Sequence, residues 1–251
     1  MGWQNLRPND QVQAADWIPS RLHPFAQDVG SVVPSGFAAY ARIFHPASLE
    51  GRPGVEVRWS EVAAQSGRKV HPEMQFHALV SEPDVDPPRE GVLSQTQAKA
   101  LVALLARHTT TPNSCWLCLW EGYGYLNPGA MVALVAARPP FARLRVGLGR
   151  LQLRWSRPRL PRPEGPRVRL PGRDYLLFHA RLTEALGWED GPNLWWPDDH
   201  AWCVASEIDF PYTYVAGPQD LIDAIVGDPA IEALPATDTD GISYSSDKIN
   251  S

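Results

Sequence analysis

The sequence predicts an α+β protein with a mixed or mainly antiparallel sheet and two to four helices packed on it. Three observations carry that expectation. Short alternating runs broken by Pro and Gly fill the first 90 positions, an amphipathic helix stands at residues 96–108, and a wholly apolar run of strand length follows at residues 114–120.

Taken in order, residues 36–44 alternate Phe37, Ala39, Ala41 and Ile43 with Tyr40, Arg42 and Phe44, a strand with apolar character on both faces. Val55, Val57 and Trp59 alternate with Glu56 and Arg58 and lead into a short helix, with Ser60 expected at its N-cap and Glu61 in its first turn. Residues 75–80 read as a further strand, ended by prolines at 83, 87 and 88. In the helix at 96–108, Ser94 and Gln97 form a capping box, and Ala98, Leu101, Val102 and Leu105 make one stripe. Residues 114–120 fit a buried interior strand. Asn127 and Pro128 suit the start of a second helix over 131–137, with a strand as the alternative reading of that run. Farther on, residues 175–180 read as a strand and 182–186 as a helical turn stopped by Gly187. Residues 202–208 and 212–215 form two antiparallel strands around a turn, and Pro218 at N1 opens a helix to Val226.

Hydrophobic residues make up 44% of the 251, charged residues 20%, and Pro with Gly number 44, a globular balance that excludes disorder throughout. One α+β domain over 1–251 is expected, with 138–173 an Arg/Pro-rich excursion and 235–251 a loosely ordered polar tail. Residues 1–10 lack the apolar run of a signal peptide, and the longest apolar stretch, 130–137, is too short to cross a bilayer. Three cysteines agree with a reducing compartment, so a cytoplasmic location is expected. The net charge of −5 conceals a division: positions 138–173 hold eleven arginines and one acid, Glu164, leaving 12 basic and 27 acidic residues elsewhere. Residues 142–155 suit a ribbon with one basic face, whereas the proline-rich 157–172 does not pair regularly. The segment suits an acidic partner or the acidic body of the same chain. Nucleic acid is disfavoured because Trp155 alone supplies aromatic interleaving there.

Cys115, Cys118, His200 and Cys203 have the residue types of a structural zinc site, C-x-x-C with H-x-x-C. Strand geometry argues against it, because residues three apart on a strand point to opposite faces; no metal and no cofactor are expected. On the strand read at 75–80 and just before it, His71, Glu73 and His77 fall at even spacings, a second arrangement of metal-ligand residue types. Six of the ten tryptophans fall in two stretches, at 116–120 and 188–202, that also carry acids. Trp120, Tyr123, Trp195, Trp196, Asp198, Asp199 and Trp202 are the candidate ligand-binding residues, since rings offer stacking faces and carboxylates accept hydrogen bonds or neutralise cations. Were the protein an enzyme, Glu121, Glu207 and Asp209 would be the acid and base. The bland reading of the same residues is core packing for the rings and turn closure for the acids. Phosphate loops, calcium loops and serine elbows are absent as complete motifs.

The segments Trp-Trp-Pro-Asp-Asp at 195–199, Glu-Ile-Asp-Phe at 207–210 and Cys-Trp-Leu-Cys-Leu-Trp-Glu-Gly-Tyr-Gly at 115–124 resemble an actinomycete protein family of no known activity, over most of the chain outside the arginine segment. That resemblance implies no function. In architecture alone the chain is similar to SMI1/KNR4-type immunity proteins, acidic α+β domains that bind toxins. The functional expectation is a non-enzymatic, immunity-like binding protein with an acidic, tryptophan-rich pocket or surface that takes a protein partner or small molecule. The alternative is a hydrolase acting on a sugar-like or cationic small molecule.

Overall fold

The computed structural model describes residues 2–52, 54–80, 85–126 and 163–250. The helix expected at 131–137 and the basic ribbon at 142–155 lie outside them. Strands β1 (Ala39–Phe44), β2 (Ala47–Leu49) and β3 (Glu56–Val57) lead to α1 (Trp59–Ser66) and α2 (Phe76–Leu79). There follow β4 (Val85–Asp86), α3 (Gln95–Arg107), β5 (Cys115–Trp120), β6 (Val168–Leu170) and β7 (Arg173–Ala180). The chain continues through β8 (Leu194–Pro197), β9 (Cys203–Ala205), β10 (Tyr212–Gly217), α4 (Gln219–Gly227) and β11 (Ala233–Ala236).

Eight strands form one antiparallel sheet in the order β11-β1-β10-β9-β8-β5-β7-β6, and β3-β2-β4 form a small second sheet. The large sheet is covered on both sides, which explains the apolar character of both faces of β1 and β5. On one face Ile43, Leu117, Phe178, Trp195, Val204 and Val215 meet Leu101 and Leu105 of α3 and Leu221, Ile222 and Ile225 of α4. On the other, Phe44, Trp116, Cys118, Trp196, Tyr212 and Tyr214 meet Ile18, Val29 and Val33 of the N-terminal turns, with Trp59 of α1 and Leu79 of α2. Among the described residues no helix is long and apolar enough to cross a membrane.

Several expectations are corrected by tertiary contacts. Residues 75–80 are not a strand: Phe76 and Leu79, three apart and both buried, sit on the short helix α2, and the Gln75 N–H is taken by the Asp247 carboxylate. Helix α1 begins at Trp59, with Arg58 rather than Ser60 at its N-cap, because the remote Glu232 carboxylate accepts the N–H groups of both Trp59 and Ser60 at 2.7 Å. Ser94 does cap α3, yet the Gln97 side chain donates to the Phe44 carbonyl at 2.7 Å instead of closing the box. Pro218 is the N-cap of α4 and not its first residue. The tail expected to be loose begins inside β11 and then packs, with Ile242, Ser246, Asp247 and Asn250 buried.

Candidate ligand-binding cleft

A cleft of about 1080 Å³ opens between the small sheet and the turn at residues 185–192, with the loop at 87–95 along its side. Its floor includes His45, Trp195 and Ser206. Gly91, at φ +75°, lets the loop press onto the β9–β10 turn: its N–H donates to the Phe210 carbonyl at 2.9 Å, and a Cβ there would meet the Ile208 Cα at 3.0 Å. The loop's Arg89 carbonyl accepts from His45 Nδ1 at 2.7 Å, so Nε2 of the neutral ring accepts from the Thr213 hydroxyl at 2.8 Å. Thr213 in turn lies 2.7 Å from Ser206 Oγ. Burial pushes His45 down to about 4, outweighing its bond to Arg89.

Among the described residues the charged lining is mostly acidic. Glu56, Asp86 and Glu90 stand on one wall and Glu189 and Asp190 on the other, against Arg89 as the one Lys or Arg among the described lining residues. Asp190 accepts from Tyr125 Oη at 3.1 Å, and Asp86, Glu90 and Glu189 also engage neighbours. Trp188 and Trp195 bring indole surface to the same cleft while remaining largely buried.

The structure sets the two tryptophan-rich stretches side by side, because β5 and β8 pair with Trp116 opposite Trp196 and Leu117 opposite Trp195. It then divides their side chains between faces. Trp195 and Trp202 pack edge to face beneath α3, where Trp202 Nε1 donates to the Leu105 carbonyl at 3.1 Å. Trp196 lies under the N-terminal turns, 6.0 Å from Trp17. Truncating a buried tryptophan costs about 3–5 kcal/mol, so packing alone accounts for Trp196 and Trp202. Of the seven candidate ligand-binding residues, Trp195 alone lines the cleft.

The candidate acids fall into separate groups. At one end of β5, Glu121 pairs with Arg167 at 2.9 Å, and Glu207 holds Arg173 through two bonds, of 2.7 and 3.2 Å. Both arginines belong to the basic segment, so its described part contacts the chain's own acids. Arg173 also lies 5.3 Å over Trp120, which packs edge to face on Tyr123, and Asn193 ties Tyr123 Oη to the Trp120 N–H. Asp209 is exposed on the following turn. At the other end, Asp198 accepts from Ser114 Oγ and from Trp116 Nε1 at 2.5 Å. Asp199 closes the 109–111 loop; burial raises its carboxyl, but bonds from Thr110, Thr109 and Ala201 outweigh that and hold it below the usual range.

The zinc ligand set is not assembled. Cys115 packs with the α3 face and Cys118 and Cys203 with the opposite face, while His200 is exposed and stacked on Trp17 at 4.7 Å. His71, Glu73 and His77 do not share a strand face either: His71 bonds Asp247, Glu73 accepts from the Gly241 N–H, and His77 stacks on Tyr244. Among the described residues no group of three or more His, Cys, Asp or Glu is placed to hold a metal ion.

Sequence reasoning missed His45, Ser206 and the five cleft acids. Glu189 and Asp190 in Trp-Glu-Asp-Gly-Pro were a local signal, but the opposing wall comes from residues some hundred positions earlier and carries none. No family model matches the chain, and none of the curated proteins or solved structures compared with it matches.

Proposed function

We propose that the protein is a non-catalytic binding protein whose acidic cleft receives a cationic segment of a protein partner. The observation that carries this reading is the lining: among the described residues five carboxylates and one arginine border the cleft, together with Trp188 and Trp195. Carboxylates lining a trough attract a basic chain and set its register. A volume of about 1080 Å³ suits a peptide segment better than a lone ion. No observation favours the hydrolase, since Glu121 and Glu207 are each held by an arginine.

Fluorescence anisotropy with a labelled oligolysine peptide tests the reading. The triple variant Glu56→Gln, Glu90→Gln, Glu189→Gln changes exposed cleft acids, so the fold should persist while affinity falls at least about tenfold and loses salt dependence. The control Asp16→Asn, Asp223→Asn removes exposed acids outside the cleft and should bind within about twofold of the wild type. Equal weakening in both variants would mean that overall charge, and not the cleft, attracts the peptide.

A further inference from the structure

Arg42 is the most deeply buried charged side chain of the large sheet, at 1% exposure. It projects from β1 toward the face roofed by the 72–75 loop and the C-terminal tail. Its Nη1 donates to the Pro72 carbonyl at 2.5 Å, and the guanidinium lies 3.6 Å over the Tyr212 ring and 5.1 Å over Phe44. Among the described residues the buried Nε and Nη2 have no hydrogen-bond partner, and Arg42 enters no ion pair. Those two nitrogens form the side-on edge of the guanidinium, the pair of parallel donors that matches the two oxygens of a carboxylate. Directly across the ladder, Tyr214 on β10 is paired with Arg42 in register, and its hydroxyl is also buried with no hydrogen-bond partner among the described residues. Burial raises the Tyr214 phenol well above its ordinary value, with Arg42 offsetting part of that, so it remains a donor at neutral pH.

A permanent charge with an unfilled two-pronged edge is costly inside a protein, and ring stacking satisfies its face but not its edge. The geometry points to a small-carboxylate site at Arg42, in which the two oxygens of the anion take Nε–H and Nη2–H and the Tyr214 hydroxyl supplies a third bond. Its roof is the tail itself. Tyr212 Oη donates to the Ile242 carbonyl at 2.9 Å, the Gly241 N–H donates to Glu73 at 2.7 Å, and Gln75 Nε2 donates to Ser246 Oγ at 3.0 Å. Further bonds tie the same stretch down, among them His71 to Asp247, Arg68 Nη1 to the Asn250 carbonyl and Asn250 Nδ2 to the Lys69 carbonyl, so an anion enters only when the tail opens as a unit, without opening the sheet. The site is independent of the acidic cleft, and neither stands or falls with the other.

The test titrates the full chain with sodium formate to about 100 mM at constant ionic strength, reading the melting temperature and the ¹⁵N resonance of the Arg42 Nε–H. Expected are a saturating rise in melting temperature and a shift of that resonance with the same midpoint. Tyr214→Phe, which keeps the ring, should weaken formate about tenfold, the loss of one hydrogen bond to a charged ligand. Four results overturn the proposal. The first is an Arg42 resonance that formate does not move, and the second is an equal response in Tyr214→Phe. The third is a response that appears only in Glu73→Gln, which would make Glu73 the guanidinium's own partner in solution. Chloride acting as strongly as formate would overturn the two-oxygen edge as the recognition element.

Discussion

His45 illustrates how one side chain ties a site to a pH range. Its ring is enclosed, it donates to a loop carbonyl, and it accepts from Thr213, an arrangement that only the neutral form completes. Its folded pKa of about 4 lies below the usual 6.5, so the unfolded chain binds the extra proton first as pH falls. The stability that His45 contributes is therefore full above about 6.5, declines as pH drops, and is gone below about 4, a total of roughly 3 kcal/mol. Urea unfolding at several pH values should show this slope in the wild type and a flatter one in His45→Gln. The imidazole resonance of the folded protein should titrate near 4. Nothing in the sequence separates His45 from the other six histidines, because its two partners lie 44 and 168 residues away.

At the scale of elements, local pattern was readable wherever it agreed with the packing. The stripe of α3, the apolar run of β5 and the β9–β10 hairpin each announced themselves by period. Where a distant group decides the conformation, pattern fails: Glu232 sets the start of α1, and the tail draws residues 75–80 out of strand geometry. The tail itself looked polar and loose because its anchor is one carboxylate. Asp247 is 2% exposed and accepts from His71 at 2.9 Å, from the Asn250 and Ile249 N–H groups, and from Gln75 at 3.2 Å. Burial would raise it, but the bonds from Asn250, Gln75 and His71 prevail and hold it at about 2. A depressed carboxyl contributes fully above about 4 and loses that contribution as pH falls through about 2. Asp247→Ala should cost roughly 2–3 kcal/mol, the loss of several charge-assisted bonds at a buried position. Hydrogen exchange should localise the effect, with the Gly241 and Asn250 amides exchanging faster and the β5 amides unchanged until global unfolding.

The molecule as a whole is one sheet shared by two cores, which is why its tryptophans did not gather into a pocket. Side chains that neighbour each other along β5 and β8 are sent to opposite layers by the strand period, and each layer needs large rings to fill the space beneath its cover. The cleft was invisible in the sequence because it forms where the small sheet meets the 185–192 turn, a junction that depends on the tertiary fold. The three free cysteines test whether the layers behave as a unit. Cys115 reports on the α3–α4 layer, and Cys118 and Cys203 report on the layer beneath the N-terminal turns. Burial, with Asp198 and Asp199 nearby, pushes the Cys115 thiol up to about 12, and burial raises the other two well above the ordinary thiol range, so none reacts while enclosed. A thiol reagent should thus label none in the native protein and all three in denaturant. In intermediate urea the three labelling rates should yield a single opening free energy equal to that of global unfolding, because exposing either face of β5 strips a core that the other face shares through the same backbone. Labelling of Cys115 well ahead of Cys118 and Cys203 would show instead that α3 and α4 detach while the sheet and its opposite cover remain folded.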